Sequence, residues 1–290
     1  MIGRNILTLA AFAFVSAGCV TAPAPEPEVS VPQSDLLNAA LWMQGAVEYK
    51  AAALGVYALA RVRLDETLVD RKWTAAPDRQ SKGYEKLPPA VIVDADETVL
   101  DNSAYQARLA RDYAEFSGPT WGAFVESRTA KAVPGALDFA RYAASQGVTI
   151  FYITNRDAIG EDATRANLKA LGFPVSDEKD TIFTQGEREE WKPSAKGVRV
   201  AEVAKGHRIL LMIGDNLGDF TDAYKGTPAD RLSVYERNKD HWGKDWLIVP
   251  NPAYGSWESS LFGGDYKLSP DERRRLKREM LEAWEPTEDR

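Results

Sequence analysis

The run Val91-Ile92-Val93-Asp94-Ala95-Asp96-Glu97-Thr98 sets two carboxylates one residue apart at the end of a short apolar segment. Apolar runs of this length, bounded here by Pro88-Pro89, read as buried strands. Alternate side chains of a strand point to opposite faces, so Asp94 and Asp96 share one side only where the strand ends or bends. They would crowd at its carboxyl end, where open α/β sheets hold their ligands. Two carboxylates at one strand tip repel and need a partner. A divalent cation supplies it, and Mg2+ suits carboxylate oxygens. With a metal in place, one aspartate can attack a phosphorus atom and the other can carry the proton. Two plainer readings stand beside this one. Asp is common in ordinary turns, and a calcium loop is also rich in Asp. An EF-hand, however, needs Gly at its sixth position, where Val99 stands.

The elements that would position this pair alternate between strand and helix. Ser34 to Asp70 carries a helical pattern through Leu37, Leu41, Val47, Leu54, Ala58 and Val62, read as the packing face. Residues 71–89 are a polar loop. Residues 99–133 interrupt the α/β order and hold Tyr105, Tyr113, Phe116, Trp121 and Phe124, a composition suited to a cap beside the site. Pro134-Gly135 opens a helix to Ser145 that Gly147 ends. A second strand, Val148 to Ile153, runs into Thr154-Asn155-Arg156. Ala158 to Leu171 is a helix stopped by Gly172, and Thr181 to Thr184 is a third strand. A helix over about 195–205 precedes a fourth strand, Arg208 to Ile213, which ends in Gly214-Asp215-Asn216-Leu217-Gly218-Asp219. Short strands are expected at Leu232 to Tyr235 and Trp246 to Val249. Ser269-Pro270-Asp271-Glu272 has the cap and first-turn proline of a last helix, reaching about Trp284. This alternation predicts an α/β fold, a Rossmann-like parallel sheet with helices on both faces and a smaller, mainly helical cap.

Composition excludes other classes. The 290 residues are 44% hydrophobic and 27% charged, as in soluble globular proteins, and the net charge of −7 argues against a nucleic-acid partner. Both histidines, His207 and His241, read as surface residues, and no Arg-His-Gly stretch is present, which disfavours histidine-based phosphatase chemistry. At the amino terminus, Arg4 precedes an apolar core, Ile6 to Val15, too short to span a bilayer. Small residues then lead into Cys19, the sole cysteine. Residues 19–33 are rich in Pro, Ala and Glu and read as a tether. The divisions expected are a signal segment 1–18, the tether 19–33, a helical region 34–89, a core 90–267 with the cap insertion at 99–133, and a C-terminal helix 268–290.

Four elements now occur in order: DxDxT at Asp94, a Thr after a strand at Thr154, a lysine at Lys196 or Lys192, and GDxxxD at Asp215 and Asp219. This order resembles the haloacid dehalogenase (HAD) phosphatase superfamily. The segments LWMQGAVEYKA (41–51), VDADETVLDNSAY (93–105), TWGAFV (120–125), ITNR (153–156), GDNLGDF (214–220) and NPAYGSWE (251–258) look like the class C acid phosphatases, bacterial 5′-nucleotidase lipoproteins of the outer membrane. Ala95 replaces a larger apolar residue of the first motif, and Ser16 stands where a lipoprotein signal usually has Leu.

The resemblance implies a HAD-type core and a set of roles. Asp94 would be the nucleophile and Asp96 the general acid and base. Mg2+ would be held by the side chains of Asp94 and Asp215 and the carbonyl of Asp96, with Asp219 behind it. Thr154, Asn155 and Lys196 would bind the phosphoryl group. Lys192 is the alternative lysine, and Arg156 is read as either pocket or surface. Trp121 and Tyr254 would flank a nucleobase, so the expected substrates are nucleoside monophosphates or other small phosphomonoesters. Cys19 would carry the lipid that anchors the chain to the bacterial outer membrane, although ordinary secretory cleavage stays open. A homodimer is also left open. Two competing functions are phosphoryl transfer to an alcohol acceptor and non-catalytic ligand binding at the surface, since fold alone does not fix function.

Overall fold

Strand β1 (Pro89–Val93) is the central strand of a five-stranded parallel sheet, in the order β5-β4-β1-β6-β7. Its partners are β4 (Thr149–Asp157) and β6 (Arg208–Gly214), flanked by β5 (Ile182–Gln185) and β7 (Trp246–Ile248). The computed structural model describes residues 34–284; the expected signal segment, tether and Cys19 lie outside the described residues, as do residues 285–290. Parallel neighbours require crossover connections, and helices supply them. In chain order the helices are α1 (Leu37–Gly45) and α2 (Val47–Val69) before the sheet, then α3 (Ser103–Arg111), α4 (Gly118–Ser127), α5 (Ala136–Ser145), α6 (Glu161–Leu171), α7 (Gly197–Gly206) and α8 (Pro228–Arg237) between its strands, and α9 (Ser256–Ser259) and α10 (Pro270–Glu279) after it.

The period-2 alternation of β1 splits the interior into two layers. Val91 and Val93 pack with Tyr57 and Leu64 of α2 and Phe139 of α5, whereas Ala90 and Ile92 face Val200 and Val203 of α7. Burying each such Val or Ile contributes about 1.5–3 kcal/mol. A strand buried on both faces explains why its sequence is a continuous apolar run and not an alternating one.

The amino-terminal helical region departs from the sequence reading. Leu37, Leu41, Val47, Leu54 and Val62 are all exposed. The buried stripe is instead Tyr49, Ala53, Tyr57, Ala60, Leu64 and Thr67. Both faces carry apolar residues, so periodicity could not choose between them; close packing did. A Cβ placed on Gly135, whose φ is +86°, would lie 3.0 Å from Tyr57 Cβ. The helix also breaks at Ala46, where ψ is 132°.

Two further expectations change. Leu232 to Tyr235 is helical, inside α8. Thr227 and Asp230 form a reciprocal cap there, with Pro228 in the first turn, and this start signal outweighs the short apolar alternation. The last helix ends at Glu279, short of Trp284. After β1 the chain makes a tight turn and enters β2 (Leu100–Asp101), which pairs antiparallel with β3 (Lys131–Ala132). Helices α3 and α4 lie between these two short strands, where the rings of Tyr105, Phe116, Trp121 and Phe124 pack together.

Candidate active site

The carboxyl ends of β1, β4 and β6 deliver the polar groups. Asp94 follows β1 directly, and its backbone N–H still donates to Ile213 O of β6 at 2.9 Å. The turn beyond it is closed by Glu97 N–H to Leu100 O at 2.8 Å, and Glu97 takes a left-handed φ of 56°. From behind, Tyr57 of α2 donates its hydroxyl to Thr98 O at 2.6 Å, so the helix under the sheet fixes the loop that carries the aspartates.

Lys196, at the start of α7, reaches this point. Its Nζ contacts Asp94 Oδ1 and lies 2.7 Å from Asp219 Oδ1. Of the two candidate lysines, this is the one at the site: Lys192 pairs with Glu189 on the surface, its side chain 62% exposed. Asp219 is held in turn by the Asn216 backbone N–H, which donates to Oδ2 at 2.9 Å. A Cβ on Gly214 would fall 2.3 Å from that Oδ2, so only glycine admits the carboxylate. Asp215 accepts from Asn251 Nδ2 at 2.7 Å.

Asp94, Asp215 and Asp219 bring carboxylate oxygens within 4.8 Å of one another. Burial pushes the Asp94 carboxyl up to about 7 against the pull of Lys196, with Asp219 and Asp96 adding to the rise. Burial, then Asp219 and Asp94, also hold Asp215 well above the usual carboxylate range. For Lys196, burial alone would lower the ammonium; Asp219 and Asp94 outweigh it and hold it above its ordinary value. One lysine therefore faces three carboxylates in a low-dielectric site. A divalent cation fits this oxygen donor set and its excess negative charge.

Asp96 turns the other way. Its carboxylate meets Arg156, with Nη2 2.8 Å and Nε 3.0 Å from Oδ1, and Thr154 Oγ1 donates to its Oδ2 at 3.3 Å. Arg156 is buried, which overturns the surface alternative. Asn155 adjoins Thr154 and is tied to the lysine loop. Its amide donates to Ser194 O at 3.0 Å and accepts from Arg199 Nη2 at 2.6 Å, so its side chain braces the loop leading to Lys196.

Trp121 and Tyr254 each contact a residue of this second group or its loop. The Arg156 guanidinium lies 5.5 Å from the Trp121 ring centroid. The Tyr254 hydroxyl donates to Glu97 Oε2. Glu97, Asn102 and Asn251 were not assigned roles from sequence, and Arg156 was left between pocket and surface, although each lies inside one of the quoted motifs. The signal available was polar residues at set places within otherwise apolar or glycine-rich motifs. The histidines are half-buried and remote from these aspartates in role: His241 Nδ1 is 2.7 Å from Asp245 and its ring stacks on Trp246.

The HAD superfamily, subfamily IIIB (acid phosphatase), matches residues 31–257. The chain belongs to this family. A class C acid phosphatase from Bacillus anthracis superposes on it with a TM-score of 0.75 at 33% identity, over 86% of this chain and 98% of that one. The same enzyme with tungstate bound gives the same values. Two plant proteins, the stem 28 kDa and stem 31 kDa glycoproteins of Glycine max, are 23% identical over 139 residues, 47% of this chain. The chain spans about half the length of these plant relatives, 54% and 47% respectively. As a member of the subfamily it has the expected α/β core, and the carboxyl end of its sheet carries the acidic cluster suited to a divalent metal.

Proposed function

We propose that this protein is a secreted, membrane-anchored, Mg2+-dependent phosphomonoesterase that hydrolyses nucleoside 5′-monophosphates and related phosphomonoesters. The observation that carries the reading is the buried cluster of Asp94, Lys196, Asp215 and Asp219, with Asp96 two residues from the nucleophile. Family membership supports it, as does the binding of tungstate, a tetrahedral oxyanion, by the Bacillus anthracis enzyme.

In this reading Asp94 attacks phosphorus and forms an aspartyl-phosphate while the ester P–O bond breaks. Asp96 gives its proton to the leaving oxygen. Water then attacks the aspartyl-phosphate, Asp96 takes up its proton, and phosphate leaves. Lys196 and Thr154 donate to the phosphoryl oxygens as charge develops. Mg2+, held by Asp94, Asp215 and the Asp96 carbonyl, would offset the repulsion between Asp94 and the phosphate dianion. Asp219 holds Lys196 in place. The direct test is phosphate release from nucleoside monophosphates with Mg2+ and with a chelator. Turnover that survives complete chelation would remove the metal from the reading, and no turnover with metal would remove the activity.

The nucleotide preference rests on two aromatics, Trp121 against the Arg156 guanidinium and Tyr254 against Glu97. A base held by a ring gains about 1–3 kcal/mol per stacking contact, with little dependence on base identity. Trp121→Ala and Tyr254→Ala should each raise KM for nucleoside monophosphates and leave a small aryl phosphate little changed. Tyr254→Phe keeps the ring and removes only the hydroxyl on Glu97, so it separates stacking from support of the loop. Parallel losses on both substrates would mean that the rings hold the fold and not the base.

Anchoring rests on Cys19 and the segment before it. No helix among the described residues is long and apolar enough to cross a membrane. A diacylglyceryl group on Cys19 would supply the two chains that stable anchoring takes, which would place the protein at the outer membrane. Cys19→Ser should then move it from the membrane fraction to the soluble one. A mature amino terminus without lipid mass would end this part of the reading.

A further inference from the structure

The two oxygens of Asp96 are held unequally. Oδ1 accepts three donors: Arg156 Nη2 at 2.8 Å, Arg156 Nε at 3.0 Å and Asn102 Nδ2 at 2.8 Å. Oδ2 meets only Arg156 Nε and Thr154 Oγ1, both at 3.3 Å. Oδ1 thus holds the three short contacts, whereas the two on Oδ2 are long and one of them is a donor shared with Oδ1, so Oδ2 is the oxygen more easily released to a new partner.

The guanidinium that makes this difference is itself locked. Arg156 Nη1 donates to Thr164 Oγ1 at 3.0 Å, and that hydroxyl donates to Gly160 O at 2.8 Å, tying the fork to the start of α6. Arg156 Nη2 also donates to Asn102 Oδ1 at 3.3 Å, the same amide whose nitrogen holds Asp96. Trp121 lies against the guanidinium. Asn102 is fixed from its other side by Glu97, which accepts from the Asn102 backbone N–H and from its Nδ2, both at 3.2 Å. A buried guanidinium is costly unless its donors are used, and here they are used around one carboxylate.

We propose that Arg156 is the positioning residue for Asp96: its fork, aided by Asn102, occupies Oδ1, fixes the carboxylate plane and leaves Oδ2 as the oxygen that exchanges the proton with the substrate. The proposal rests on the reading of Asp96 as general acid and base. The proton on Oδ2 passes to the leaving oxygen as the ester P–O bond breaks. Oδ2 then takes one proton from the water that attacks the aspartyl-phosphate, and Arg156 keeps all of its own. Thr154 Oγ1, which the proposed function assigns to a phosphoryl oxygen, is the neighbour of Oδ2 and not of Oδ1. A planar fork can set the orientation of a carboxylate, whereas a point charge such as an ammonium sets only its distance.

The test compares kcat and KM on an alkyl phosphate and an aryl phosphate with a good leaving group. The proteins are wild type, Asp96→Asn, Arg156→Ala, Arg156→Lys and the double variant Asp96→Asn/Arg156→Ala, with Mg2+ present and folding checked by thermal unfolding. Loss of general acid catalysis costs on the order of 10²–10⁴-fold. Arg156→Ala should lower kcat on the alkyl phosphate by about 10²-fold, well beyond its effect on the aryl phosphate. In the Asp96→Asn background the same change should add little, because two groups that act as a unit are non-additive. Arg156→Lys, which keeps charge and much of the volume, should show the same substrate-dependent loss and covers the case in which Arg156→Ala does not fold. Equal losses on both substrates, an undiminished loss in the Asp96→Asn background, or wild-type behaviour of Arg156→Lys would each overturn the proposal. If Asp96→Asn itself affects both substrates equally, the acid–base reading of Asp96 fails first and the positioning role falls with it.

Discussion

Asp94→Asn should reduce kcat by at least about 10⁴-fold, a loss of about 5.5 kcal/mol of transition-state stabilisation, while the protein still folds. Asn keeps the shape of Asp and removes both the attacking oxygen and one negative charge of the metal set. Folding should survive because the site is crowded with like charge. Burial, with Asp219 and Asp96, already pushes the Asp94 carboxyl up to about 7, so neutralising it relieves repulsion. The Val91-Ile92-Val93 core beneath is unchanged. The Lys196 contact survives through the amide oxygen. Steady-state phosphate release measures the rate, thermal unfolding measures the fold, and mass analysis of a quenched reaction should find an aspartyl-phosphate in wild type and none in the variant. Substantial turnover in a folded, Mg2+-loaded variant would sink the covalent mechanism.

Lys196→Ala should lower kcat by about 10²–10³-fold, the loss expected for one preorganised charge-stabilising donor. Unlike Asp94→Asn, it should also destabilise the metal-free protein, by about 3–5 kcal/mol, because removing one partner of a buried pair leaves uncompensated charge. Here two carboxylates, Asp94 and Asp219, lose their cation together. Adding Mg2+ should recover part of the stability and little of the rate, since the metal replaces charge at the carboxylates and not the donor to the phosphoryl oxygen. Lys192→Ala is the matched control: its exposed pair with Glu189 is worth about 0–1 kcal/mol, and neither rate nor melting temperature should move appreciably. The opposite ranking of the two lysines in a phosphate-release assay would transfer the role to Lys192.

The meeting of Asp94, Asp215 and Asp219 at one end of the sheet was legible in sequence because the motifs that carry them follow apolar strand runs. The parallel sheet was equally legible, since a strand buried on both faces must be apolar throughout, as Val91 to Val93 is. Where two local signals competed, sequence was a poorer guide. Leu232 to Tyr235 resembled a strand, but the cap at Thr227 and Pro228 starts a helix through it. On α2 both faces were apolar, and the smaller residues Ala53 and Ala60, with Tyr57, form the buried one. Small side chains let a helix approach the sheet closely, an effect with no signature in hydrophobic periodicity.

The sequence by itself determined the acidic pair, its strand, the order of the motifs and the α/β class. Each of these depends on residues near one another in the chain, where spacing is geometry. Only the tertiary structure decided between Lys196 and Lys192, because the choice depends on which loop α7 brings over the end of β1. It likewise placed Arg156 against Asp96, 60 residues away in sequence. An arginine in a polar stretch has no local mark of burial. Whether its charge meets water or a carboxylate depends on where β4 ends relative to β1, and that is fixed by strand register across the sheet.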